Sequence, residues 1–152
     1  MTQMRKAGFL FLMLVPILAS AGEKDSLLQI LKKAKSIEGE YIGITADKSE
    51  VYKAASELWN ICSEKELVKL TGNKDPEITC YAFLGLLKKN ADPRLLEEIV
   101  SKHSKDLQRT QMHNGCIEWP ITVKDYMEMM LHNFMLDPGI KQQLDSLYIN
   151  GK

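Results

Sequence analysis

The chain has 152 residues, 45% of them apolar and 26% charged, with 20 Lys+Arg balancing 20 Asp+Glu. These are the proportions of one soluble globular domain, and they exclude a collagen-like, low-complexity or wholly disordered chain and a polytopic membrane protein. Zero formal net charge also argues against a nucleic-acid binder that depends on a dense basic face.

The first element in chain order is a leader. Arg5 and Lys6 precede an apolar run from Ala7 to Leu18, and Ala19-Ser20-Ala21 supplies the small residues of a signal-peptidase site. The run is shorter than the roughly 20 residues that span a bilayer, and Pro16 interrupts it. The pattern predicts export to the periplasm or the cell exterior, with a signal peptide over 1–21 and a single domain over 22–152. Loss of 1–21 removes Arg5 and Lys6 and no acid, so 18 basic residues face 20 acidic ones and the net charge becomes −2. No second long apolar segment follows, and no membrane span is expected in the mature chain.

Helical punctuation then recurs. Over 25–37, Leu27, Leu28, Leu31, Ala34 and Ile37 share one face at the 3.6-residue period. Residues 39–45 break that pattern, with 41–45 the one segment suited to an extended chain. Asp47 and Glu50 have capping-box spacing and open a helix to about Cys62; Ser63 and Glu66 repeat it for a short helix that stops at Gly72. Asp75-Pro76 and Asp92-Pro93 each pair an N-cap with proline at the first helical position, for helices to about Lys89 and Lys102. Residues 107–121 read as a polar, irregular loop. Thr122 and Asp125 start a helix through His132, and Asp137-Pro138 starts a last one ending near Asn150-Gly151. The expected class is all-α.

Two of these helical units match at a shift of 29 residues: Tyr52 falls on Tyr81, Leu58 on Leu87, Leu67 on Leu96 and Leu70 on Ile99. A period near 30 with two short helices per unit is the pattern of a helical solenoid, in which each unit's apolar face is covered by its neighbour. The residues Glu66-Leu67-Val68-Lys69-Leu70, Lys74-Asp75-Pro76-Glu77 and Cys80-Tyr81-Ala82-Phe83-Leu84-Gly85-Leu86-Leu87 resemble a HEAT-type repeat. With Gly115-Cys116 and Val123-Lys124-Asp125-Tyr126, the stretch 50–134 is similar to small exported HEAT-like proteins of Bacteroidetes-type bacteria. The resemblance implies stacked antiparallel helix pairs, an α-solenoid fragment or bundle, with 107–121 in place of a regular third unit. It also implies a protein-interaction scaffold, and it brings no catalytic residue with it.

Three cysteines, Cys62, Cys80 and Cys116, would enter an oxidising compartment after export. Three pairings exist, as does a state with all three buried and unpaired. Cys80–Cys116 is the expected bridge, because it would tie a core helix to the least regular segment and stabilise by roughly 3–4 kcal/mol through loop closure.

Chemistry-bearing residues concentrate in 111–120, where His113, Cys116 and Glu118 lie within six residues and Trp119-Pro120 follows. A Cys–His nucleophile needs the two side chains in hydrogen-bond contact, which spacing alone does not supply. The plainer reading is a structured loop pinned by a disulfide at Cys116, with Trp119 packed against the adjacent helix; as an interaction loop it would offer His113, Glu118 and Trp119 to a partner. His113 and Cys116 make one metal-like pair, with no second pair to complete a structural site, so no metal and no other cofactor is expected. Met127 and Met130 share a helix face with Tyr126 and Phe134, a core stripe, while Met129 falls off it and suits an adaptable partner surface. No phosphate-binding, dinucleotide or nucleophile-elbow motif is present.

The expected function is a non-enzymatic, exported helical-repeat protein that binds another protein as a scaffold or inhibitor, with room for self-association. A small cell-envelope enzyme, or a ligand or metal binder, centred on the His113–Cys116 loop is the alternative.

Overall fold

The computed structural model describes residues 15–136, with side chains from 22 onward. The leader expected over 1–21 and the helix expected after Asp137-Pro138 lie outside the residues whose side chains are described. Among the described residues no helix is long and apolar enough to cross a membrane.

The fold is α/β, not all-α. It comprises α1 (Val15–Ala34), β1 (Ser36–Ile42), β2 (Asp47–Lys48), α2 (Glu50–Ile61), α3 (Glu64–Leu70), α4 (Pro76–Lys88), α5 (Pro93–Lys102), β3 (Arg109–Gly115), β4 (Ile117–Thr122) and α6 (Val123–Met135). The strands form one mixed sheet in the order β2-β1-β3-β4. β1 and β3 are parallel neighbours, while β2 and β4 are antiparallel to them on the two edges.

Local signals placed most helices well. Ser63 and Glu66 form a reciprocal capping box at α3, and the Asp92 carboxylate accepts the Arg94 N–H at 2.8 Å to start α5. Thr122 caps α6 by accepting from Asp125 N. Two starts differ in detail. Ser49, not Asp47, caps α2, and Asp75 precedes Pro76 without its side chain capping α4; it meets Lys32 at 3.5 Å instead.

One helix dominates the packing. α4 is buried on every side from Glu77 to Leu87 and, among the described residues, touches the five other helices together with β1 and β3. A helix apolar all round belongs inside a fold, not on its face. Trp59 of α2 lies against Gly85, whose missing side chain makes the space: a Cβ there would run into the indole and sit 2.8 Å from its Nε1. The indole donates to Tyr81 O at 2.8 Å and meets Tyr52 edge-to-face at a centroid distance of 5.5 Å. The fully buried Tyr81 phenol accepts the Glu38 N–H at 2.6 Å and reaches Glu38 O at 3.2 Å. It thus serves β1 where β2, which pairs only with Tyr41 and Ile42, does not extend. Burial pushes that phenol's pKa well up.

The sheet overturns several expectations. The first helix ends at Ala34, because Lys35 takes a left-handed φ of +54° and redirects the chain. Ile37 is buried as expected, but from a strand. The segment read as an irregular loop over 107–121 is the β3–β4 hairpin, with Gln111 opposite Pro120 and Met112 opposite Trp119. Pro120 is tolerated because β4 is an edge strand, paired on one side only. The helical units therefore do not stack into a HEAT-like solenoid: a four-stranded sheet covers α4 where another helix pair was expected, and the helical-repeat resemblance fails with it. The Cys80–Cys116 bridge also fails. Cys80 is sealed inside α4, Cys116 is exposed at the hairpin turn, and all three cysteines are free thiols. Burial raises the Cys80 and Cys62 thiol pKa values further.

Candidate binding cleft

The alternation of strand residues sorts the hairpin onto two faces. Thr110, Met112 and Asn114 of β3 share the helix-facing side, and the Thr110 hydroxyl donates to the buried Glu77 carboxylate of α4 at 2.8 Å. Arg109, Gln111 and His113 take the opposite side, where His113 stands in register between Glu38 of β1 and Glu118 of β4. The residues expected to act together are thus separated. Trp119 is opposite Met112 on the inner face, His113 and Glu118 are on the outer face, and Cys116 occupies the turn. Among the described residues no group of three or more His, Cys, Asp and Glu is arranged to hold a metal ion. His103 is engaged elsewhere, its Nδ1 2.9 Å from Asp106 Oδ2.

What the inner face does form is a cleft of about 340 Å³ between the sheet and α6. Its floor is Ile37, Gly39, Met112 and Trp119, and its roof is Tyr126, Met129 and Met130. Tyr52 and Leu84 close it from α2 and α4. Gly39 leaves room for Asn114: a Cβ there would lie 2.6 Å from the Asn114 Oδ1, so with glycine that amide lies across β1. The remaining lining groups are Lys88, Asn114 and Asn133, all exposed. Among the described residues Lys88 has no carboxylate partner. Glu38 also borders the cleft, but strand alternation puts its carboxylate on the His113 side of β1, where it accepts from the Ser49 hydroxyl at 2.6 Å and from the Ser36 hydroxyl at 3.2 Å. Ser49 in turn accepts the Tyr52 N–H at the start of α2.

The cleft lies toward one end of the sheet. β1 and β3 run in the same direction, so the β1–β2 and β3–β4 turns are neighbours, and Gly43 N–H donates to Gly115 O at 2.8 Å between them. Ile44 is 93% exposed at the first turn and Ile117 65% at the second, with Tyr41 also exposed nearby. α6 follows β4 and runs back toward this end, where Asn133 lines the cleft and Leu136 is exposed.

Two of these residues were visible beforehand. Trp119 stood out in the hairpin sequence, and Met129 was off the core stripe. Met130 was assigned to the core but is half-buried in the cleft beside Met129, while Met127 is the fully buried one. Lys88, Asn114 and Asn133 come from three elements and carry no shared sequence signal. No protein-family model, no curated protein and no solved structure matches the chain.

Proposed function

We propose that the protein is an exported, non-enzymatic binding module of the scaffold or inhibitor kind, and that it engages another protein with the cleft end of the sheet. The observation that carries this reading is the cleft itself: thioether and aromatic walls with polar side chains at the rim. Met112, Met129 and Met130 offer an adaptable surface for a partner's apolar side chain. Asn114 and Asn133 each offer a donor and an acceptor, the complement of a peptide backbone. The neighbouring Ile44 and Ile117 extend the apolar contact beyond the cleft. His113 lies on the outer face of β3 and Cys116 in the turn, both apart from the cleft.

The test is a display library of random 12-residue peptides panned on the folded protein, with Met130→Glu as the counter-selecting variant. Met130 is half-buried at the cleft wall, so a carboxylate there blocks the site without emptying the core. Enriched peptides that bind the wild type and lose at least tenfold affinity on Met130→Glu support the reading. Peptides indifferent to that substitution, or no enrichment at all, sink it.

A further inference from the structure

From the polar rim of the cleft, and resting on the docking reading above, we infer the chemistry of the partner segment: a bulky apolar side chain next to an acidic residue, whose carboxylate pairs with Lys88. The apolar side chain enters between Trp119 and Met130, and the Asn114 and Asn133 amides hold the segment's backbone. Three observations lead here.

Lys88 is the one lining cation, it is exposed, and among the described residues no carboxylate meets it. Glu38 does not meet it: strand alternation puts that carboxylate on the His113 side of β1, where Ser36 and Ser49 donate to its two oxygens. An incoming acid therefore finds a free cation at the rim, and no lining carboxylate on the cleft side of β1 competes for it.

The rim amides favour a peptide over a purely hydrocarbon ligand. An Asn side chain duplicates the donor–acceptor pair of a backbone amide, and two of them flank the apolar floor. The Asn114 Oδ1 lies over Gly39, where the absence of a side chain leaves it room. At about 340 Å³ the cleft is at the small end of ligand sites, fitting one anchor side chain and its neighbours more readily than a cofactor.

Electrostatic complementarity at an exposed rim sets selectivity more than affinity. Replacing the partner's acid by its amide should thus weaken binding by only about 2- to 5-fold, while a charge reversal should change the preferred sequence.

The experiment pans the same peptide library in parallel on wild type and on Lys88→Glu, then measures synthetic versions of the most enriched peptide by fluorescence anisotropy. Lys88 is exposed, so the substitution leaves the fold intact, and circular dichroism checks this. Wild type should enrich Asp or Glu within two residues of Leu, Met, Phe or Trp, and Lys88→Glu should enrich Lys or Arg at that place. The acid-to-amide peptide should bind wild type about 2- to 5-fold more weakly and Lys88→Glu no more weakly than its parent. Peptides that stay sensitive to Met130→Glu but show no acidic preference, with Lys88→Glu unchanged, overturn the carboxylate pairing and leave the docking reading standing. Absence of any cleft-dependent peptide overturns both. Sedimentation showing wild-type dimers that Met130→Glu dissociates would assign the cleft to a second copy of this chain and overturn the proposal too.

Discussion

Helix α4 and the β3–β4 hairpin sit on two sides of one contact, yet they were built by different rules. α4 is specified locally: Asp75-Pro76 starts it and an unbroken apolar run carries it to Lys88. The hairpin's own pattern is weaker. β4 alternates Ile117, Trp119 and Ile121 on one face but contains a proline, and Arg109–Gly115 contributes only Met112 as an apolar side chain. β3 is held extended between β1 and β4, with α4 presenting Glu77 to Thr110. One region answers to its own sequence, the other more to its neighbours. The first holds the molecule together, and the second supplies the surface that differs from a plain helical bundle.

Substitution should expose that asymmetry most plainly in the core. Leu86→Ala removes a fully buried side chain from α4 and should cost about 2–5 kcal/mol. Gln111→Ala, on the exposed outer face of β3, should stay within about 0.5 kcal/mol. Urea unfolding of both variants measures the difference, and equal losses would break the comparison.

Gly85→Ala sharpens it. Helix propensity alone would favour alanine by up to about 1 kcal/mol. The added Cβ instead meets the Trp59 ring, which is buried and fixed by its bond to Tyr81 O, so a loss of about 1–3 kcal/mol is expected. Near-ultraviolet circular dichroism should report the displaced indole. A stabilised variant would mean that Trp59 is free to move.

The smallest effect lies away from both regions, where Lys24 of α1 meets Glu66 of α3 at 2.7 Å. The Lys24 ammonium, and then the Ser63 N–H and hydroxyl, hold the Glu66 carboxyl at about 2, below its ordinary 4.5. A depressed acid stabilises the fold above its unfolded pKa. That contribution is present above pH 4.5 and fades as pH falls from 4.5 toward about 2. Carboxyl NMR titration of wild type and Lys24→Met checks it: the Glu66 midpoint should rise in the variant, yet stay below 4.5 because Ser63 remains.

The same division explains what could be read from residue order. Caps and Pro-started helices are short-range chemistry, so Ser63-Glu66, Asp92-Pro93 and Thr122-Asp125 locate the starts of α3, α5 and α6 within a residue or two. β1 was hidden because Ile37 extends the helical period of Leu27, Leu31 and Ala34, and only the left-handed Lys35 separates them. β3 is hidden because Met112 is its one apolar side chain and because β1, one of its two partners, lies far away in the chain, with α2 to α5 between. The cleft inherits both obstacles. Trp119 and Met129 attracted notice singly, whereas Gly39, Lys88, Asn114 and Asn133 acquire meaning only once β1, α4, β3 and α6 converge.

Pro120 has a consequence for how the molecule behaves in a crowded solution. The free side of an edge strand invites a strand from another chain, the first step toward sheet-like aggregates. A proline there cannot donate, so the row of hydrogen bonds offered to an intruder is interrupted midway along β4. The exposed Glu118 places a charge next to that gap. The opposite edge is only two residues long, Asp47 and Lys48, both charged and exposed. The sheet is therefore poorly suited to growing sideways, and the protein can expose apolar side chains at one end without its strands becoming templates for fibres.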